Sequence, residues 1–317
     1  MDKRKFWLIA RKYATLAILI VFVVAISLMT DRFLTFGNIT NVGRQLSFNG
    51  IISVAMTMVI ISGGIDLSVG GTVALAGCTC AGVLADSGNI PAAVAAALAV
   101  GVVVGIFNGI LIAYTRIAPF IITLSSLSIA QGVTLVLTNA SPIPLDNEAF
   151  KALGQSSFYS IPTPIFIMIA IFLVAGYVMK KTKFGRYVYA IGGNERSAAL
   201  AGISVQKIKL TVYIVSGLLA AFTGVLYTSR LSSGVPNLGD GFEMDAITAA
   251  VIGGASLSGG QGGIWGTLIG AVIIGILNNA LNLLNVNTNY QSIVTGVVVL
   301  IAVLFDCLIQ ARVRSDS

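Results

Sequence analysis

The stretch Ser62-Gly-Gly-Ile-Asp-Leu-Ser-Val-Gly-Gly71 places one carboxylate, Asp66, among four glycines, with apolar runs on both sides. A second stretch, Gly253-Gly-Ala-Ser-Leu-Ser-Gly-Gly260, repeats the pattern G-G-x-x-L-S. Glycine permits the positive φ angles and the close backbone approach that a sharp turn or an interrupted helix requires. We therefore expect each stretch to break a helix or to turn it sharply near one end of an apolar bundle.

The composition indicates which kind of protein surrounds these glycines. The chain has 317 residues, of which 56% are hydrophobic and 10% charged, and its mean hydropathy is +0.94. Soluble domains carry about 25% charged residues. The apolar residues form blocks of roughly 15 to 22, the length that crosses about 30 Å of hydrocarbon as a helix. The sequence therefore predicts an all-α, polytopic transmembrane bundle in a single domain, residues 1–317, and argues against a soluble enzyme.

About ten spanning helices are predicted, some of them broken by glycine. The blocks are 13–29, 46–62, 71–85, 91–115, 117–138, 163–179, 210–228, 244–257, 264–284 and 290–306. Ten crossings place both termini on one side of the membrane. With the N-terminus in the cytoplasm, the inside segments hold 15 of the 19 lysines and arginines, as the positive-inside rule requires. This topology explains the net charge of +7 without a nucleic-acid partner.

The connections and the missing residue types limit the possible chemistry. The predicted outer loops are 139–162 and 230–243, and the long inner loop is 180–209; none is large enough for a catalytic domain. The chain has no histidine, its three cysteines lack metal-ligand spacing, and no glycine precedes a lysine, so a phosphate-binding loop is absent. We expect no metal site, no catalytic residue and no ATP hydrolysis by this chain.

Glycines and polar residues within or beside the apolar blocks are the candidates for a solute pathway or for helix breaks. They are Gly63, Gly64, Asp66, Ser68, Gly70, Asn108, Gly253, Gly254, Ser258, Asn278 and Asn279. Asp66 could cap the helix that starts near Leu67, line the pathway, or be a loop acid. The amides could bond across helices or face a hydroxylated solute.

Two internal echoes suggest a duplication but disagree about its direction. The G-G-x-x-L-S stretches are predicted to lie on the same side, which implies parallel copies. Gly105-Ile-Phe-Asn-Gly-Ile-Leu and Gly275-Ile-Leu-Asn-Asn-Ala-Leu join blocks that run in opposite directions, which implies an inverted repeat. Both readings stay open at this point.

The inner loop contains the signals of a short exposed helix. Asn194 is a suitable N-cap, and Glu195 lies in the first turn, where its charge complements the helix dipole. Gly202 is a plausible C′ residue at the end of the helix.

Four segments together resemble the sugar-type permease subunits of binding-protein-dependent ABC importers over nearly the whole chain. They are Ser62-Gly-Gly-Ile-Asp-Leu-Ser-Val-Gly70, Gly185-Arg-Tyr-Val-Tyr-Ala-Ile-Gly-Gly-Asn-Glu195 with Ala-Leu-Ala-Gly-Ile203, Ala250-Val-Ile-Gly-Gly-Ala-Ser-Leu-Ser-Gly-Gly-Gln-Gly262 and Gly275-Ile-Leu-Asn-Asn-Ala-Leu-Asn-Leu-Leu284. The resemblance implies that loop 180–209 carries a coupling helix that docks into a separate ATPase. Its docking surface would comprise Asn194, Glu195, Arg196, Ala198, Ala199 and Gly202.

The same resemblance implies the partners. It implies a homodimeric permease in the cytoplasmic (inner) membrane, partner ATPase subunits that bind ATP and magnesium, and an extracytoplasmic sugar-binding protein received by the two outer loops. Ribose or a related monosaccharide is the expected solute, whereas autoinducer-2 and nucleoside permeases share the architecture. An ion-coupled secondary transporter is the other class considered, and it would need ionisable groups deep in the bundle.

Overall fold

The computed structural model describes residues 19–287, 290–291, 293–301 and 303–304, and their fold is almost entirely helical. The helices are α1 Leu19–Met29, α2 Phe36–Ile61, α3 Val69–Ser87, α4 Ile90–Tyr114, α5 Pro119–Thr138, α6 Glu148–Gln155, α7 Thr163–Lys181, α8 Lys183–Gly193, α9 Glu195–Leu200, α10 Val205–Leu231, α11 Phe242–Ile252 and α12 Ile264–Leu283. The described residues within 290–304 are also helical.

Two short antiparallel strand pairs lie in the two loops that are predicted to be outer. The strands are β1 Ile143–Pro144, β2 Ser157–Phe158, β3 Ile161–Pro162 and β4 Ser233–Gly234. Strand β1 pairs with β4, and β2 pairs with β3. The first pair therefore joins the two predicted outer loops to each other.

Among the described residues, seven helices are long and apolar enough to cross a membrane: α2, α3, α4, α5, α7, α10 and α12. Helix α2 is the centre of the bundle, because 83% of its most apolar window is buried. The corresponding windows of α4, α5 and α7 are only 22–28% buried and present apolar side chains outward. This pattern is expected of a multi-pass membrane protein, whose outer helices face lipid.

Glycines allow a very close contact between helices α4 and α10. Gly101 and Gly105 of α4 lie against Gly217 and Tyr213 of α10 so closely that a Cβ on either glycine would overlap the backbone of α10. Small residues spaced by four are the usual means of close helix packing in membranes. The echo around Gly105 therefore has a packing reason of its own.

The structure does not confirm ten spanning helices. The predicted block 244–257 is the 11-residue helix α11, which is about 16 Å long and too short for about 30 Å of hydrocarbon. The irregular segment 235–241 leads into it along α3, from Gly234 beside Cys78 to Gly239 beside Gly70. The segment 235–252 is therefore part irregular chain and part helix, and its irregular part is only partly buried, with Asn237, Asp240 and Gly241 exposed. The first and last blocks lie partly outside the described residues.

Candidate functional site

The first glycine stretch ends helix α2 in a Schellman motif. Gly63 has a φ of +85°, and the N–H groups of Gly63 and Gly64 donate to the carbonyls of Ile60 and Val59 at 2.9 and 3.0 Å. A Cβ on Gly64 would overlap the hydroxyl of Tyr213 on α10. Both glycines are therefore required, one for its left-handed backbone and the other for close approach.

Asp66 lies in the turn after this motif and is the centre of a buried polar network. Its Oδ1 accepts from the backbone N–H and the hydroxyl of Ser68 at 3.0 and 2.5 Å, and its Oδ2 accepts from Ser216 of α10 at 2.7 Å. Asn108 of α4 donates to Ser68 at 2.8 Å and accepts from Ser126 of α5. Asp66 is 1% exposed. The network therefore ties the turn to three helices.

The contacts of Asp66 and Asn108 are contacts within the protein. The helix begins at Val69 with Ser68 as its N-cap residue, so Asp66 binds the N–H that precedes the first turn rather than one within it. Asn108 is fully buried and bonds across helices. Both side chains therefore hold the bundle together in this conformation. Gly70 lies one turn on, against Gly239.

The second glycine stretch repeats this geometry and touches the first. Gly254 has a φ of +93°, and its N–H donates to the carbonyl of Val251 at 2.9 Å at the end of α11. The Ser258 N–H donates to the Ser256 hydroxyl at 3.2 Å, as Ser68 does to Asp66. Gly253 packs against Gly266 of α12.

The two breaks meet at one end of the bundle, where Gly260 N–H donates to the carbonyl of Ile61 at 2.9 Å. The prediction that both glycine stretches lie on the same side is therefore confirmed.

The end of helix α8 contacts both glycine breaks. A Cβ on Gly192 would overlap the Ile61 carbonyl, and Gly192 also lies against Gly259 and Gly260. The Tyr189 hydroxyl donates to the Gly262 carbonyl at 2.9 Å. Helix α8 therefore contacts the end of α2 and the last glycines of the second break directly, through backbone atoms and without an intervening side chain.

Helix α9 projects from this junction and carries the predicted coupling residues. Asn194 accepts from the Ser197 N–H at 2.8 Å and caps the helix. Glu195 and Arg196 are exposed, and Glu195 forms an ion pair of 2.6 Å with Lys209. The N-cap prediction is confirmed.

The far end of α9 also matches the expected helix stop, with one correction inside it. Gly202 has a φ of +81° and is the C′ residue. Ala199 and Gly202 are exposed. Ala198, in contrast, is 4% exposed and packs against Ile191 and Val205. Its side chain therefore supports the helix and is not available to a docking partner.

The amides of α12 have different partners. Asn278 donates to Asp245 Oδ2 at 3.2 Å, and Asn49 of α2 donates to the same oxygen at 3.0 Å. Asn279 exchanges two hydrogen bonds with Asn38, at 2.8 and 3.0 Å. Asp245 Oδ1 receives no hydrogen bond from the part of the chain that the structure describes. We call Asn49, Asp245 and Asn278 the amide–carboxylate cluster.

Sequence reasoning missed Asn49 and Asp245, although both are polar residues in predicted spans and that signal was available. The cluster lies at the start of the half-helix α11, whose first turn also holds Glu243. Discontinuous helices with their ends inside the bundle are characteristic of transporter binding sites.

Aromatic side chains lie near the same helix ends. Tyr227 of α10 packs against Phe48 of α2 and Phe242 of α11, with ring centroids 4.3 and 5.5 Å apart. The Arg230 guanidinium lies 5.6 Å from the centroid of Phe48. Aromatic surface with a few convergent polar groups is the usual lining of a small-molecule site.

In the outer loop, Lys151 bonds to Glu148 and Asp146 at 2.6 and 3.0 Å. The hydrogen bonds from these two carboxylates raise the pKa of Lys151. Both acids are exposed, and 97% of the Asp146 side chain is accessible to solvent.

Comparisons with known proteins match most of the chain to transport permeases. Residues 38–303 match the sequence model described as the branched-chain amino acid transport system / permease component. The chain is 46% identical over 306 residues to the ribose import permease protein RbsC of Escherichia coli K12, covering 95% of each chain. It is 46% identical to RbsC of Bacillus subtilis over 91% of this chain and 90% of that one. It is 37% identical to the L-arabinose transport system permease protein AraH of E. coli K12, over 93% and 90%. No solved structure matches.

Proposed function

We propose that this chain, which belongs to the family of the branched-chain amino acid transport system permease component, is the membrane subunit of an ATP-driven importer of a pentose. The relatives named for ribose at 46% identity make ribose the first candidate and those named for L-arabinose at 37% the second. No observation favours autoinducer-2 or a nucleoside.

The contact of Gly192 with both glycine breaks is the observation that carries the mechanism. We infer that an ATPase subunit docks on the exposed residues of α9, namely Asn194, Glu195, Arg196, Ala199 and Gly202. Movement of α8 and α9 on ATP binding then passes to the ends of α2 and α11 through backbone contact. In this scheme ATP and magnesium are bound by the partner, and this chain needs no cofactor.

The solute is proposed to touch the amide–carboxylate cluster. Its carboxylate has one oxygen free of hydrogen bonds from the described residues, and hydroxyl groups of a sugar are donors that match it. The cluster lies where α11 begins, so a shift of α11 would change its geometry. The pathway residues predicted from sequence are thus divided: Asn278 belongs to the cluster, whereas Asp66, Ser68 and Asn108 hold the bundle.

Asp66 gives no support to ion coupling. Both of its oxygens accept hydrogen bonds from serines, and the group is buried beneath α10. An ionisable relay would need a chain of such groups, and the network around Asp66 consists of neutral side chains.

The remaining partners follow from the proposed class of importer. Two copies of the chain form the permease, and a sugar-binding protein docks on the outer loops, which β1 and β4 hold together. Both termini are proposed to be cytoplasmic.

The function is tested by purifying the chain with its candidate ATPase and reconstituting both into liposomes. We expect ribose uptake that requires ATP, magnesium and a ribose-loaded binding protein, with arabinose and a nucleoside as competing solutes. Uptake of arabinose in preference would change the substrate assignment. Uptake by the chain alone under an ion gradient, without ATP, would overturn the importer class.

A further inference from the structure

A cavity of about 440 Å³ opens between the end of α7, helix α8 and the start of α12. Two basic side chains, Lys180 and Arg186, line it together with the aromatic residues Tyr189 and Trp265. The other lining residues are small or apolar. No acidic side chain lines the cavity, and neither cation has a carboxylate within 4 Å among the residues that the structure describes.

The charges are placed where a ligand can meet both of them. Lys180 and Arg186 are exposed, and among the described residues the Arg186 guanidinium makes one long hydrogen bond, 3.4 Å, to the Lys181 carbonyl. Tyr189 is fixed by its bond to the Gly262 carbonyl, 2.9 Å long. An anion in this cavity would therefore find two cations with no competing acid.

The apolar part of the cavity indicates the class of anion. Trp265 is 51% exposed, and its indole packs over Gly176, where an added Cβ would lie 3.2 Å from Nε1. Met179 and Ile264 complete this surface. Helix α7 ends at this cavity and α12 begins at it, and both are candidate membrane spans. A tryptophan at the end of a membrane span typically lies at the level of the lipid headgroups.

We propose that this cavity binds the headgroup of an anionic phospholipid, with the phosphate between Lys180 and Arg186 and the glycerol and first acyl carbons on Trp265. Basic pockets between spanning helices recognise anionic headgroups in this way. Because α8 also contacts the glycine breaks through Gly192, an occupied cavity would hold α8 against α7 and α12. The site does not depend on which solute the chain carries.

The test measures binding of phosphatidylglycerol and phosphatidylcholine to the purified full chain by native mass spectrometry. The cavity variant is Lys180→Gln with Arg186→Gln. Its matched control is Lys181→Gln with Lys183→Gln, which removes the same charge from the same segment outside the cavity lining. Loss of the two basic contacts should raise the Kd for phosphatidylglycerol about thirtyfold. The control variant should change this Kd less than twofold.

Several outcomes would overturn the proposal. Equal loss in both variants would mean general surface charge, and unchanged binding in the cavity variant would mean that lipid binds elsewhere. Competition by free glycerol phosphate at millimolar concentration would point to a soluble anion. If the cavity variant no longer binds the ATPase but still binds lipid, the two basic residues contact the ATPase instead. If the double variant fails to fold, Lys180→Gln alone removes an exposed side chain and should raise the Kd about fivefold.

Discussion

Asn278 and Asn279 are neighbours on α12, yet they face different partners. Asn278 belongs to the amide–carboxylate cluster with Asp245, whereas Asn279 exchanges two hydrogen bonds with Asn38. If the cluster contacts solute, Asn278→Ala should raise the KM for ribose uptake about tenfold, since a hydrogen bond to a charged group contributes about 1.5–3 kcal/mol. Uptake in reconstituted liposomes at graded ribose concentrations measures this.

The neighbouring residue supplies the control. Asn279→Ala removes helix-to-helix bonds, so it should lower the melting temperature and leave the KM within twofold. A pair of variants that both lose stability without any change in KM would reduce the cluster to a structural contact and remove Asp245 from the solute path.

The sequence shows that these amides lie within an apolar block, but it does not show that they have different partners. Asn278 and Asn279 are equally polar and equally deep in the same apolar block. Their roles differ because a step of one residue rotates a side chain by about 100° around the helix, toward α11 or toward the start of α2. Asp245 was missed because its importance depends on where α11 begins, which the flanking loop decides.

At the scale of helices, the sequence predicted where the long helices lie, but it did not predict that block 244–257 contains only a short helix. Blocks 91–115 and 117–138 correspond closely to α4 and α5, since long apolar runs bounded by Asn89 and Pro119 leave few alternatives. Block 244–257 is not confirmed as a spanning helix, because apolar composition does not distinguish a full spanning helix from the 11-residue helix α11 with an irregular segment before it. The glycine stretches were correct as breaks, because Gly63 and Gly254 adopt the positive φ values that glycine favours and that end a helix.

The contact between α8 and the two breaks joins residues that are far apart in sequence, and its consequence can be tested with one methyl group. Gly192→Ala should cut ATP-driven uptake at least about tenfold. The added Cβ overlaps the Ile61 carbonyl, and overpacking of this kind costs about 1–3 kcal/mol. The helix must then move off the breaks. Uptake and ATP hydrolysis by the assembled complex are measured together, and hydrolysis should persist without matching transport.

Gly193→Ala is the matched control, since a Cβ at Gly193 meets nothing within 4 Å. It should keep uptake within twofold of the unchanged protein. Normal transport by Gly192→Ala would show that the contact between α8 and the breaks transmits nothing.

For the whole molecule, the distribution of lysine and arginine predicts which side of the membrane each loop faces. The positions of three exposed residues can test this prediction. One span, α7, separates Asp146 in the outer loop from Ser197 on α9. Helix α10 and the broken crossing, residues 232–252, separate Ser197 from Gln261. Tyr189 bonds to Gly262, which places the second break at the same end as α8. If the segment crosses the membrane despite its short helix, Ser197 and Gln261 lie on one side and Asp146 on the other.

Single cysteines at these three exposed positions test the arrangement in intact cells. Cys78 and Cys80 are buried, and Cys307, outside the described residues, is replaced by serine. A membrane-impermeant maleimide should label Asp146→Cys from outside, and Ser197→Cys and Gln261→Cys only after lysis. The reverse pattern would invert the orientation. Labelling of Gln261→Cys from outside, with Ser197→Cys protected, would mean that residues 232–252 return to the side they left, so the half-helix would be a re-entrant loop and the number of crossings would be lower by one.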